Sequence, residues 1–231
     1  MNKGTAQILH DILSIGAERG LAIGGRHRVP IPTTDELYGL CELLAQSPAE
    51  EAIQRYLELH PGYLTGLLGG PDNTDLAILL KPPIGTLYKA DFCVLQAHQG
   101  GAVAHLIEIE SSHERLFTKD GRTAKRLSDA MTQVEDWRIW IERERQHYSR
   151  ELIRMARELP KLSEYQEGAR GFRLLSPDDI EFHWRSFGGY DQLIFSFTIL
   201  IGRWSKLSNE EKARLLNRNR EGVQNLRIFT Y

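Results

Sequence analysis

Val103 to Glu110 reads Val-Ala-His-Leu-Ile-Glu-Ile-Glu, an apolar strand carrying two carboxylates at its end. Period-two alternation puts Leu106, Glu108 and Glu110 on one face, and His105, Ile107 and Ile109 on the other. Leu87 to Gln96, with Phe92, Val94 and Leu95, reads as a second strand, and Gln99-Gly100-Gly101 as the turn between them. The two form an antiparallel hairpin, which brings Asp91, within the first strand, beside the acidic end of the second. Three carboxylates near one strand end repel each other unless a positive charge lies among them. A hard divalent cation, Mg²⁺ or Mn²⁺, supplies that charge and prefers oxygen ligands. Held there, it can polarise a phosphodiester and lower the pKa of an attacking water. Acidic residues also end many strands simply because solvent is there, so the residues alone leave a metal site and a solvated cluster both open.

The segments around the hairpin set the fold class. Met1 to about Arg28 reads as a helix running into a basic, glycine-rich connector, Gly24-Gly25-Arg26-His27-Arg28, punctuated by Pro30 and Pro32. Thr34 to Ala45 shows helical spacing of Leu37, Leu40, Cys41 and Leu44. Ser47-Pro48-Ala49-Glu50 has the form of a capping box opening a further helix that stops near Pro61. Gly66 to Pro83 reads as loop, with at most a short strand at Leu76 to Leu80. After the hairpin, Thr123 to Leu159 predicts a long helix with Leu127, Ala130, Val134, Trp137 and Ile141 as its apolar stripe. Strands are expected at Asp179 to Arg185, Leu193 to Ile201 and Leu226 to Tyr231, with a helix over Asn209 to Asn219. The order gives an α/β or α+β chain with a mixed central sheet flanked by helices. It divides into an N-terminal helical segment, 1–46, and one larger domain, 47–231.

The 29 Lys and Arg against 31 Asp and Glu give a net charge of -2, which excludes a protein that coats nucleic acid by bulk charge. No apolar run approaches the roughly 20 residues of a membrane span, and no signal-peptide pattern opens the chain. Cys41 and Cys93 lack metal-ligand spacing and read as buried free thiols, so the cytoplasm is the expected compartment. No organic-cofactor loop, zinc spacing or nucleophile elbow is present.

The chain resembles the Shedu family of bacterial anti-phage proteins. The likeness runs in order after about Ser47: Glu50 with Ile53-Gln54, Tyr56-Leu57-Glu58 and Pro61; Ala90-Asp91-Phe92; Leu106-Ile107-Glu108-Ile109-Glu110; His113 to Phe117; Ala130, Gln133, Trp137 and Trp140; Ile201-Gly202-Arg203; and the closing Ile228-Phe229-Thr230-Tyr231. The resemblance implies a PD-(D/E)XK restriction-endonuclease-like core, metal-dependent DNA cleavage in phage defence and a homo-oligomer. By the same match Asp91 and Glu108 are metal ligands, Gln133 supports the site from the long helix, and Glu50 is an acid from the first core helix. Glu50 serves equally well as the reciprocal member of a capping box, and Gln133 as a surface glutamine.

One position departs from the pattern. The family has lysine after its Glu-X pair, and this chain has Glu110. Glutamate cannot stabilise an anion, but it can bind metal or take a proton from water. The site is therefore read as Asp91, Glu108, Glu110, Gln133 and Glu50, the first three as metal ligands. Arg115, Lys119, Arg122, Lys125, Arg126 and Arg203 are candidates to grip phosphates, or else to be solvated. The rival readings are a weakened nuclease-like module that binds nucleic acid, and an interaction protein assembling through its long helix.

Overall fold

The computed structural model describes residues 2–7, 32–60, 62–64, 74–98, 101–166, 168–186, 193–220 and 225–231. Most of the expected N-terminal helix and connector, the Gly66–Asn73 stretch and the Gln99-Gly100 turn lie outside them. No described helix is long and apolar enough to cross a membrane.

Two helices come first, α1 (Thr34–Ala45) and α2 (Glu50–Leu59). A capping box closes the start of α1, where Thr33 and Glu36 satisfy each other's backbone N–H groups. The box expected at Ser47–Glu50 is not formed. The N-cap of α2 is Ala49, with no side-chain cap, and Glu50 is already the first helical residue, so its carboxylate is free to act elsewhere.

A six-stranded mixed sheet forms the centre, in the order β6-β1-β4-β5-β7-β8. Its strands are β1 (Thr74–Leu80), β4 (Phe92–His98), β5 (Gly101–Ile109), β6 (Gly171–Arg173), β7 (Ile194–Leu200) and β8 (Leu226–Phe229). A small separate hairpin pairs β2 (Pro83–Ile84) with β3 (Tyr88–Lys89). Pairing is antiparallel from β6 to β5 and parallel from β5 to β8. Parallel neighbours need long crossovers. The first contains α3 (Lys125–Glu158) and α4 (Pro177–Ser186), and the second α5 (Asn209–Arg220).

Alternation divides β4 and β5 between two cores. Cys93, Leu95, Ala104 and Leu106 pack with Leu127, Ala130, Val134, Trp137 and Ile141 of α3. Phe92, Val94, Ile107 and Ile109 pack with Ile53 and Leu57 of α2. The acidic face of β5 is therefore the one that looks toward α3. All five residues of the expected α3 stripe are buried, and the helix breaks its regular geometry once, at Glu144 (φ -108°, ψ 18°).

Three expectations change. The short strand allowed at Leu76 to Leu80 is a longer interior strand, Thr74–Leu80, buried on both faces from Leu76 to Leu80, because a strand covered on both sides needs no alternation. Asp179 to Arg185 is helical within α4. Ser176 Oγ accepts from the Asp179 N–H (3.1 Å), Pro177 opens the helix, and Ile180 and Trp184 are buried one turn apart. The expected strand from Leu87 splits into β3 and β4, and Asp91 sits in the break, one residue before β4.

Each edge strand has a partner outside the sheet at one residue. On β6 the Arg173 N–H donates to the Pro160 carbonyl (2.8 Å). On β8 the Asn219 side chain donates to the Ile228 carbonyl (2.7 Å) and accepts the Ile228 N–H (2.9 Å). Gly171 (φ 133°) begins β6 where an added Cβ would lie 2.1 Å from the Ile78 carbonyl oxygen.

Candidate metal centre

The carboxylates collect where β4 begins and β5 ends. The Asp91 N–H donates to the Ile107 carbonyl (3.1 Å), just beyond the last pair of the β4–β5 ladder, Phe92 opposite Ile107. The Ile109 N–H in turn donates to Asp91 Oδ2 (2.8 Å). Glu108 extends toward α3, where Gln133 Nε2 donates to its Oε1 (2.7 Å). Each carboxylate thus has one oxygen fixed by a neutral donor and the other left over.

Glu110, two residues on and on the same face, meets a different partner. Its Oε2 accepts from Arg126 Nε at the start of α3, and Arg126 Nη2 also reaches Glu50 Oε2 (3.2 Å). The first turn of α2 and the first turn of α3 are joined in this way across the end of the sheet. Tyr231 closes the group: its hydroxyl donates to the Glu110 carbonyl (3.1 Å), and its N–H to the Gly202 carbonyl (3.1 Å).

The electrostatics follow from this crowding. Glu108 is pushed up to about 9, first by burial and then by repulsion from Asp91, Glu110 and Glu50, against which the Gln133 bond works. Glu110 rises to about 7, mainly through burial, with the Arg126 bond pulling it down. Asp91 rises to about 6 through burial, moderated by the Ile109 N–H and raised by Glu50. Burial and the nearby Asp91, Glu50 and Glu110 charges hold the Tyr231 phenol well above its ordinary value. The charged forms are thus disfavoured at this end of the sheet, the condition a bound cation relieves.

The family model described as Shedu protein SduA, C-terminal, matches residues 47–231. The chain belongs to the Shedu family. Membership points to a part in anti-phage defence. No curated protein matches the chain at a significant level.

In this Shedu domain the residues expected to act together meet only in part. Asp91, Glu108 and Gln133 form one group, and Glu110, Arg126 and Glu50 a second beside it. Among the described residues no three His, Cys, Asp or Glu side chains form a ready-made nest for an ion. Mg²⁺ does not demand one, since it commonly takes one or two carboxylates, keeps several waters and shares substrate phosphates. The Asp91–Glu108 pair, all oxygen, one residue before β4 and near the end of β5, fits that chemistry.

The basic candidates scatter. Arg115, Lys119 and Lys125 are exposed, and Arg122 pairs with Asp120 (3.1 Å) in solvent. Arg203 is half-buried, with Nη2 at 3.5 Å from both Ser47 Oγ and Ser112 Oγ. Two contributors were missed as site residues. One is Tyr231, whose closing-strand motif gave only its place. The other is Lys81, whose backbone N–H donates to the Asp91 carbonyl (2.9 Å) and whose charge lowers the Asp91 pKa. Only the chain reversal through β2 and β3 brings Lys81 there.

Proposed function

We propose that this Shedu domain is a metal-dependent DNA endonuclease that hydrolyses phosphodiesters in anti-phage defence. The observation that supports it most is the Asp91–Glu108 pair. These are two largely buried carboxylates, one just before β4 and one near the end of β5, each anchored through one oxygen by a neutral donor. Solvated surface acids have no need of such anchoring, whereas a metal ligand is held in orientation by its own hydrogen-bond partners.

Asp91 and Glu108 would hold Mg²⁺ or Mn²⁺, which would polarise the phosphodiester and supply a water of lowered pKa. Gln133 fixes the direction of Glu108 by holding Oε1, which leaves Oε2 available as a ligand. The Ile109 N–H does the same for Asp91. Burial and neighbouring carboxylates push Glu108 up to about 9, so holding a cation there would go with loss of its proton. Arg126 and Arg203 lie on the same end of the sheet and offer guanidinium N–H groups to backbone phosphates.

Glu108→Ala is the test. Wild type cuts plasmid or linear DNA in Mg²⁺ or Mn²⁺, and the variant does not; equal cleavage by both removes the assignment. A second reading is favoured by Glu110 standing in the lysine position: a module that binds nucleic acid with little or no turnover. In that case wild-type cleavage never rises above the Glu108→Ala control while DNA binding persists. The homo-oligomer implied by the family resemblance is checked by solution mass.

A further inference from the structure

Glu110 is 3% exposed, and its carboxylate is spent on one partner, the Nε edge of Arg126. Arg126 is the second residue of α3, and its side chain remains 49% exposed. Nη2 also reaches Glu50 (3.2 Å). A guanidinium carries five N–H donors in a rigid fork, so an outward edge is left over for an acceptor in solvent. Two carboxylates therefore fix where this cation points without exhausting it.

Its place relative to the metal pair is also fixed. Arg126 and Gln133 are seven residues apart, about two turns, and share one face of α3. Glu110 and Glu108 are two residues apart on one face of β5, roughly 7 Å along a strand. The helix face and the strand face meet twice: Gln133 on Glu108, and Arg126 on Glu110. The first contact orients a carboxylate with a neutral donor. The second orients a cation with a buried carboxylate.

We infer that Glu110 is a positioning residue which holds the Arg126 guanidinium toward a backbone phosphate of bound DNA, and that it is not a ligand of the metal. This rests on the nuclease reading of the Asp91–Glu108 pair. It assigns Glu110 a role opposite to that of its charge: a buried anion whose effect on a polyanion is attractive, through the cation it aims.

That inversion makes the test sharp. Glu110→Gln removes a negative charge beside the site, and by Coulomb's law alone it strengthens the binding of DNA. If Glu110 positions Arg126, it weakens binding instead. Anisotropy of a fluorescein-labelled DNA duplex in Ca²⁺, over a salt series, compares wild type, Glu110→Gln, Arg126→Gln and the double variant. Each single variant is expected to bind several-fold more weakly, with a slope of log affinity against log salt shallower by about one. The double variant is expected to be no worse than Arg126→Gln, because the two residues act as one unit. Arg126→Lys, which keeps the charge, is expected to restore part of the slope. Mn²⁺ titration by calorimetry is the second readout, with thermal melting to verify folding. Glu110→Gln is expected to keep Mn²⁺ binding within a few-fold of wild type, whereas Asp91→Asn and Glu108→Gln lose it. Equal or tighter DNA binding by Glu110→Gln with an unchanged slope overturns the inference alone, as does loss of Mn²⁺ by that variant. A wild-type protein that binds neither DNA nor Mn²⁺ overturns it together with the nuclease reading.

Discussion

At the scale of single residues, the end of β5 sorts three near-identical acids by what each touches. Glu108 meets a neutral amide, Glu110 a guanidinium, and Asp91 a backbone N–H. Their protons follow. Each is bound more tightly in the folded protein than in the unfolded chain: Glu108 at about 9 and Glu110 at about 7 against an ordinary 4.5, and Asp91 at about 6 against 3.8. The stability that these bound protons contribute is whole below the ordinary values. It is lost as pH rises through about 6, about 7 and finally about 9. The metal-free protein is therefore expected to melt at progressively lower temperature from mildly acidic to alkaline pH, as followed by circular dichroism. Glu108→Gln, neutral throughout, flattens the alkaline part of that decline. Gln133→Leu removes the donor that favours ionised Glu108, and is expected to weaken Mn²⁺ binding by about tenfold or more, the usual scale for a partner that orients a metal ligand.

Elements are held by features with separate signatures. In α4, Ser176 supplies the cap that the Asp179 N–H requires, and Ser176→Ala is expected to cost about 1 kcal/mol in urea unfolding. In β6, Gly171→Ala forces a Cβ onto the Ile78 carbonyl at a positive φ. It is expected to cost more than about 1 kcal/mol and to loosen amide exchange protection along β1 and β6. The elements legible in the sequence were those with a clean local period. The β4–β5 hairpin showed alternation, and the α3 stripe from Leu127 to Ile141 recurred every three or four residues. β1 was under-read because Leu76-Ala77-Ile78-Leu79-Leu80 is apolar throughout and has no period to count. α4 was misread although Ser176, Pro177 and the Ile180–Trp184 spacing carried a helix start. Of the candidate site, the nearness of Asp91 and Glu108 was legible because it lies within one hairpin. The rest was less so where distant segments meet: Arg126 bonds Glu50 across 76 residues, and Tyr231 bonds Glu110 across 121. No local pattern encodes such meetings.

At the scale of the whole molecule, the acidic end of the sheet is where α2, α3, the close of β5 and the chain's Tyr231 converge. On the proposed reading, a divalent ion would bridge the start of β4 and the end of β5 within that cluster. Mg²⁺ or Mn²⁺ is expected to raise the melting temperature, and to raise it more at alkaline pH, where Glu108 no longer has to surrender a proton. Scanning calorimetry with and without EDTA measures this. The other end of the design concerns neighbours rather than ligands. Asn219 presents its amide to Ile228 as a one-residue imitation of a further strand, so the last strand offers passing chains little to copy. At that residue the edge has no free N–H or carbonyl for a self-templating, fibre-forming strand to add to.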